Sequence, residues 1–263
     1  MDDSSTAVLM SLAGGVLTVA LNRPEHHNAM NPAIMTGLTE VFGQLPARDD
    51  VRVVVLTGNG RSFCAGADLA FMRAAADYTI DQNVADGQAI FDLMLAVDSC
   101  PQPVVGRVNG AAIGGGAGLV SCCDIVVADE RATFGFSEVR LGIVPAVISP
   151  FVLARIGPGN ARELFLTGER FDAHRARDIG LVHHVVPASE LDAVVADRVT
   201  QLLQGAPEAQ ATIKELVRTV AFRPKESVRE YTAETIARRR ASDEGREGMS
   251  AFLEKRKPWW QNE

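Results

Sequence analysis

The chain of 263 residues is poor in several things, and each shortage excludes a class of function. Cysteine occurs only at positions 64, 100, 122 and 123, with no C-x-x-C pair. That spacing encodes neither a disulfide framework nor a zinc site; free, mostly buried thiols in a reducing compartment are expected. Long apolar runs are missing. The longest uncharged stretch, Val108 to Cys123, holds five glycines between Arg107 and Asp124, so no membrane span is expected. Positive charge is in deficit: 26 Lys and Arg face 33 Asp and Glu, a net charge of −7. Such a chain has no global footprint for nucleic acid or an anionic membrane, and neither is expected as a partner. The basic cluster Arg238-Arg239-Arg240 is flanked by acids. The opening MDDSSTAV lacks a basic stretch, so no signal peptide and a cytoplasmic location are expected.

Common catalytic motifs are missing too. There is no G-x-x-x-x-G-K-[ST] and no G-x-S-x-G, and Leu119 stands where a dinucleotide fingerprint needs its third glycine. The histidines are His174 and two adjacent pairs, His26-His27 and His183-His184. Neighbours on a strand face opposite ways, so neither pair is a chelate and no metal site is expected. No polar linker, low-complexity tract or long repeat interrupts the chain.

What remains is an ordinary globular mix, 47% apolar and 22% charged, long enough for a sizeable core. Ala7–Leu12 and Val16–Leu21 around Gly14-Gly15 predict a β-hairpin. Asn31 as cap and Pro32 as first residue predict a helix with Ile34, Leu38, Val41, Phe42 and Leu45 inward. The run VRVVVLT (51–57) reads as a strand covered on both faces. Residues 79–99 predict a long helix, and 104–108 and 125–128 predict strands. Short helices are expected at 151–156, 161–166 and 173–179, a strand at 181–186, and helix almost throughout after Pro187. This is one α/β domain with a helical C-terminal extension.

Two segments put small residues where a strand hands over to a helix: Cys64-Ala65-Gly66-Ala67-Asp68-Leu69, and the glycine-rich run from Asn109 to Leu119. Small residues let a ligand approach the backbone, and a helix start aims unpaired N–H groups outward. Two such ends facing one point would make an oxyanion hole.

LNRPEHHNAM (21–30), VVVLTGNGRSFCAGADL (53–69), VNGAAIGGGAGL (108–119), CDIVVA (123–128), FGFSEVRLGIVP (134–145) and EGMSAFLEKRKP (247–258) follow in this order. Together they resemble the crotonase, or enoyl-CoA hydratase/isomerase, superfamily over nearly the whole chain, in particular its bacterial enoyl-CoA and methylglutaconyl-CoA-type hydratases. The resemblance implies a crotonase-like α/β spiral of ββα units over residues 1–195. It implies a helical C-terminal trimerisation region over 196–263, and a homotrimer or hexamer. The implied substrate is an acyl-CoA thioester, with no separate cofactor because coenzyme A is part of the substrate.

By the same resemblance the amides of Ala67 and Gly115 are the oxyanion-hole donors, each worth ~2.7–4 kcal/mol in the transition state. Glu138 is the implied acid–base residue. A typical hydratase carries a second, water-activating glutamate three residues after the oxyanion-hole glycine, and here that position is Gly118. Three consequences are open. Glu138 alone could move a proton between two carbons, as in an enoyl-CoA isomerase. Another side chain could hold the water. Or Gly118 could open the pocket for a bulky or branched acyl group while Glu138 runs hydration, which the glycine-poor segment after Pro145 favours. Arg140 is read first as a structural ion pair and second as a partner for a substrate carboxylate.

For the CoA moiety the resemblance points to Ala65, Gly66, Asp68, Leu69 and Ala70 around the adenine end, with Asp68 equally readable as a helix cap. His26, with Glu25 and His27, lines the approach. Phe252 and Lys255 match residues that cover the nucleotide, often from a neighbouring subunit. The expected activity is addition or removal of water at a 2-enoyl-CoA. The alternatives are a single-glutamate isomerase and a non-catalytic acyl-CoA-binding module.

Overall fold

The computed structural model describes residues 7–261; residues 1–6, where the acidic opening falls, lie outside the described residues. Ten strands are described: β1 (Val8–Ala13), β2 (Val16–Leu21), β3 (Val53–Gly58), β4 (Ser62–Cys64), β5 (Val104–Val108), β6 (Ala111–Ile113), β7 (Ile125–Asp129), β8 (Thr133–Gly135), β9 (Arg170–Asp172) and β10 (His184–Val186). Ten α-helices join them: α1 (Pro32–Gln44), α2 (Leu69–Ala75), α3 (Ile80–Ser99), α4 (Gly115–Cys122), α5 (Ser149–Thr167), α6 (Ala173–Asp178), α7 (Leu191–Leu203), α8 (Pro207–Val220), α9 (Arg229–Ala241) and α10 (Asp243–Leu253).

The strands form two sheets, one ordered β1-β2-β3-β5-β7-β10 and the other β4-β6-β8-β9. Each consecutive pair, β3/β4, β5/β6 and β7/β8, sends its first strand to the large sheet and its second to the small one. Within each sheet these strands run parallel. Repetition of that step, with α3 and α4 inserted between steps, is a ββα spiral. The opening hairpin is antiparallel with Ala13 opposite Val16, and Gly14 and Gly15 both take the positive φ that a two-residue turn needs.

Local chemistry explains the ends of the elements. The Asn31 side chain accepts from the Ile34 amide at the start of α1, where Pro32 supplies no N–H to be orphaned. Thr79 and Gln82 close a reciprocal capping box on α3. The alternation of β3 serves two cores: Val54 and Leu56 enter the main one, while Val53 and Val55 lie under Leu191, Val195 and Val199 of α7. That is why the strand is apolar without a break.

Some boundaries differ from the pattern. The two helices expected at 151–156 and 161–166 are one span, α5, kinked at Gly157 with φ 73°. The strand expected at 181–186 shrinks to β10. The small sheet, built of three-residue strands, has no periodic signal at all. A division at residue 195 falls inside α7, whose inner face packs on the large sheet. No residue of α8 or α9 is fully buried. Among the described residues no helix is long and apolar enough to cross a membrane, and no group of three His, Cys, Asp or Glu could hold a metal.

Candidate active site

The small sheet ends in two turns that converge. After β4, Met30 forms a parallel bridge with Ala67: it donates to Gly66 O at 2.7 Å and accepts from Asp68 N at 2.9 Å. In such a bridge the flanking residues hold the partner strand, so the N–H of Ala67 itself points away from Met30. Gly66 makes the turn possible, with φ +95° and a would-be Cβ 2.9 Å from Ile113 O at the end of β6. The second turn follows β6. Gly114, at φ 52°, donates to Gly135 O at 2.8 Å and precedes the first residue of α4, Gly115. Gly115 N–H is one of the orphan donors of a helix start, reinforced by the dipole of α4.

The two turns are locked against each other. A Cβ on Gly116 would run into the carbonyl of Cys64, and one on Gly115 would lie 2.7 Å from Met30 Sδ. Met30 therefore grips the Ala67 turn with its backbone and touches the Gly115 turn with its sulfur. Among the described residues neither the Ala67 nor the Gly115 amide has a protein acceptor.

Glu138 opens a short 3₁₀ turn, Glu138–Leu141, directly after β8. Its Oε1 lies 3.1 Å from where a Cβ on Gly114 would stand, so the carboxyl sits beside the first turn of α4. Its Oε2 is buried and has no hydrogen-bond partner. Burial pushes the Glu138 carboxyl above its ordinary pKa, against a smaller opposing pull from its own backbone amide. Two free amide donors and one under-solvated carboxyl thus share a site.

Contrary to the expectation that it opens the pocket, Gly118 is covered by neighbouring side chains. A Cβ at residue 118 would lie 2.5 Å from Ile148 Cγ2, 3.0 Å from Ile148 Cβ and 3.3 Å from Met94 Cε. Ile148, 2% exposed, fills the space beside the glycine. The expected ion pair of Arg140 is also absent: among the described residues its guanidinium has no acidic partner.

Asp68 is committed to the protein. It caps α2 through the amides of Ala70 and Phe71 and pairs with Arg23 Nη1 at 2.9 Å. Burial works to raise its pKa, but Arg23 and those two amides outweigh it and hold the carboxyl below its ordinary value. Leu69 is 72% exposed and Ala70 is exposed beside it, while Gly66 is buried and Ala65 half-buried. His26 is exposed, 3.9 Å from Glu25. His27 Nδ1 lies 2.9 Å from Ser62 Oγ and its Nε2 3.0 Å from Arg61. Phe252 is 82% exposed at the end of α10, and no hydrogen bond or ion pair among the described residues joins it or Lys255 to the 65–70 loop. The roles of Met30, Arg23 and Ile148 were not visible in the sequence. The one available signal was the missing glycine run in PAVISP, which put a branched side chain at 148.

The family profile described as enoyl-CoA hydratase/isomerase matches residues 11–263. The chain belongs to the enoyl-CoA hydratase/isomerase family. A Thermus thermophilus relative that carries the name enoyl-CoA hydratase is 35% identical over 245 residues, 93% of this chain and 97% of its own. A solved enoyl-CoA hydratase from Shewanella pealeana is 38% identical, with TM-score 0.95, covering 98% of this chain and 97% of that one. A Legionella pneumophila structure whose name includes the word crotonase is 40% identical, with TM-score 0.91 and coverage of 97% and 99%. The ββα spiral of this family member is therefore the crotonase fold.

Proposed function

We propose that this family member is an enoyl-CoA hydratase in which Glu138 is the single acid–base group. The carrying observation is the Glu138 carboxyl, with Oε2 buried and unpartnered and Oε1 beside the first turn of α4. The thioester carbonyl accepts from the amides of Ala67 and Gly115. Water gives a proton to Glu138 and its oxygen bonds to C3, while the C2–C3 π pair moves toward the carbonyl oxygen as an enolate. The enolate collapses, and C2 takes the proton back from Glu138. Water is consumed and no other reactant is needed. A carboxyl whose pKa burial raises above its ordinary value suits both halves of that transfer.

The 65–70 loop and His26 receive the CoA moiety, with Phe252 and Lys255 contributed by a neighbouring copy of the chain. Exposed apolar residues of the C-terminal region, among them Ile213 and Val217 on α8, Phe222 in the turn after it and Ile236 on α9, support self-association as a trimer or hexamer. Coenzyme A arrives as part of the substrate, so no separate cofactor is required. Four unpaired cysteines suit a cytoplasmic location.

One observation favours a second reading. Residue 118 is a glycine and Ile148 and Met94 fill the space a side chain there would take, so no second carboxylate stands at that position, which suits proton shuttling between C2 and C4 of a 3-enoyl-CoA. A product assay decides between them, using crotonyl-CoA, 3-methylglutaconyl-CoA, a longer 2-enoyl-CoA and a 3-enoyl-CoA with wild type and Glu138→Gln. The expected result is 3-hydroxyacyl-CoA formation that falls about 10²–10⁴-fold in the variant. Double-bond migration without hydration would replace the proposal with the isomerase. An unchanged hydration rate in Glu138→Gln would remove Glu138 from the mechanism.

A further inference from the structure

Gly118 lies three residues beyond Gly115, one turn further along the same face of α4. Gly114 and Gly118, on either side of that turn, are met by a single segment of chain. Glu138 comes up against Gly114, and ten residues later Ile148 comes up against Gly118. A group held between the amides and Glu138 therefore has Ile148 as the next side chain along the helix. Ile148 and Met94 are 2% and 0% exposed, a closed floor without polar atoms of its own.

Away from this floor the surfaces are apolar and uncovered. The segment after Glu138 exposes Leu141, Ile143 and Val144. Across from it, Ile80, Val84, Gly87 and Phe91 recur at helical spacing along α3. The inner half of that stripe is turned toward the segment after Glu138: a Cβ on Gly87 would lie 3.6 Å from Val147, and the Phe91 and Phe151 rings are 5.4 Å apart. Its outer half, Ile80 and Val84, is exposed at 78% and 53%. An aliphatic chain attached to a thioester at the amides is an occupant that meets all of these surfaces.

We infer that Ile148 is a specificity-determining residue: it closes the inner end of an acyl cleft between α3 and residues 141–148, and its size sets the acyl chain the site takes. The inference rests on the reading of Ala67, Gly115 and Glu138 as the reacting centre. Residue 148, not the glycine it covers, is then the position that tunes substrate size.

The test is the ratio of kcat/KM for a ten-carbon over a four-carbon 2-enoyl-CoA in wild type, Ile148→Val and Ile148→Ala. A single methylene in an apolar pocket is typically worth a factor of 10 or more in selectivity. The ratio should rise at least about 10-fold in Ile148→Ala, with Ile148→Val between. A ratio cancels any loss of active protein, and the valine variant keeps the experiment readable if the alanine variant folds poorly. A second readout needs no turnover: the Kd ratio of decanoyl-CoA to butyryl-CoA should shift in favour of the longer chain in the same order. Failure of hydration in wild type, with the Kd ratio still shifting, would overturn the reaction and leave the cleft standing. Ratios unchanged within about twofold in folded variants, by both readouts, would overturn the role of Ile148.

Discussion

At the scale of single residues, the site turns on a carboxyl with one buried oxygen that the protein leaves without a partner. A buried acceptor with no hydrogen bond is a cost to folding, tolerated where chemistry needs it. The sign of its pH dependence follows. Burial raises the folded pKa of Glu138 above the unfolded value, so the folded state holds the proton more tightly. Its contribution is therefore fully present below the unfolded pKa and is lost as pH rises through the folded one. Glu138→Gln should raise the melting temperature at neutral pH and lose that advantage in acid, while removing activity. A melting temperature that drops at pH 7 in the variant would mean the carboxylate has a stabilising partner. Glu138 was readable in the sequence only through the family resemblance, since by spacing alone it is one more acid near a turn. For Ile148 the sequence offered only a branched side chain in place of a glycine run; its packing on Gly118 was not readable, because that contact joins residues 30 apart across two elements.

At the scale of elements, the long periodic pieces were legible and the short ones were not. α1, α3 and the β1–β2 hairpin follow from periodicity and end chemistry, because each buries a repeated face and ends on recognisable caps. The three-residue strands of the small sheet are set by pairing with one another, which leaves no local pattern to read. Yet these strands carry both turns that leave the Ala67 and Gly115 amides without a protein acceptor. The α2 start shows how such a turn is fixed: Asp68, beside Ala67, binds two amides and Arg23 at once. Asp68→Ala removes a helix cap and leaves the partly buried Arg23 without its acidic partner. It should cost roughly 2 kcal/mol or more in urea unfolding. Because the folded pKa of Asp68 is held low, its stabilisation is present above the ordinary carboxylate value and lost as pH falls through the folded one. The gap between wild type and variant should accordingly shrink in acid; a gap independent of pH would show that packing, not charge, holds the turn.

At the scale of the whole molecule, the chain combines a densely packed spiral with helices held largely by polar ties. Strands β3, β5 and β7 supply residues at 0% exposure to both cores, whereas α8 and α9 bury no residue completely. The helices after Pro187 were legible in the sequence, but not what anchors them. Lys214 of α8 reaches the core, with Nζ 2.6 Å from Asp124 Oδ2 and 3.1 Å from Gln102 O. Arg52, at the start of the spiral, donates to the carbonyls of Gly205 and Trp260. Regions with few buried apolar contacts open independently of the core, at free energies below that of global unfolding. Charge-assisted hydrogen bonds typically contribute ~1.5–3 kcal/mol. Lys214→Met should therefore speed amide exchange across α8 to α10 by about 10-fold or more, while β3 and β5 keep their protection. If exchange instead accelerates equally in the strands, the helices and the spiral form one cooperative unit and Lys214 stabilises both together. If it does not change in the helices, contacts between copies of the chain, rather than this ion pair, hold them, and dilution should then release them.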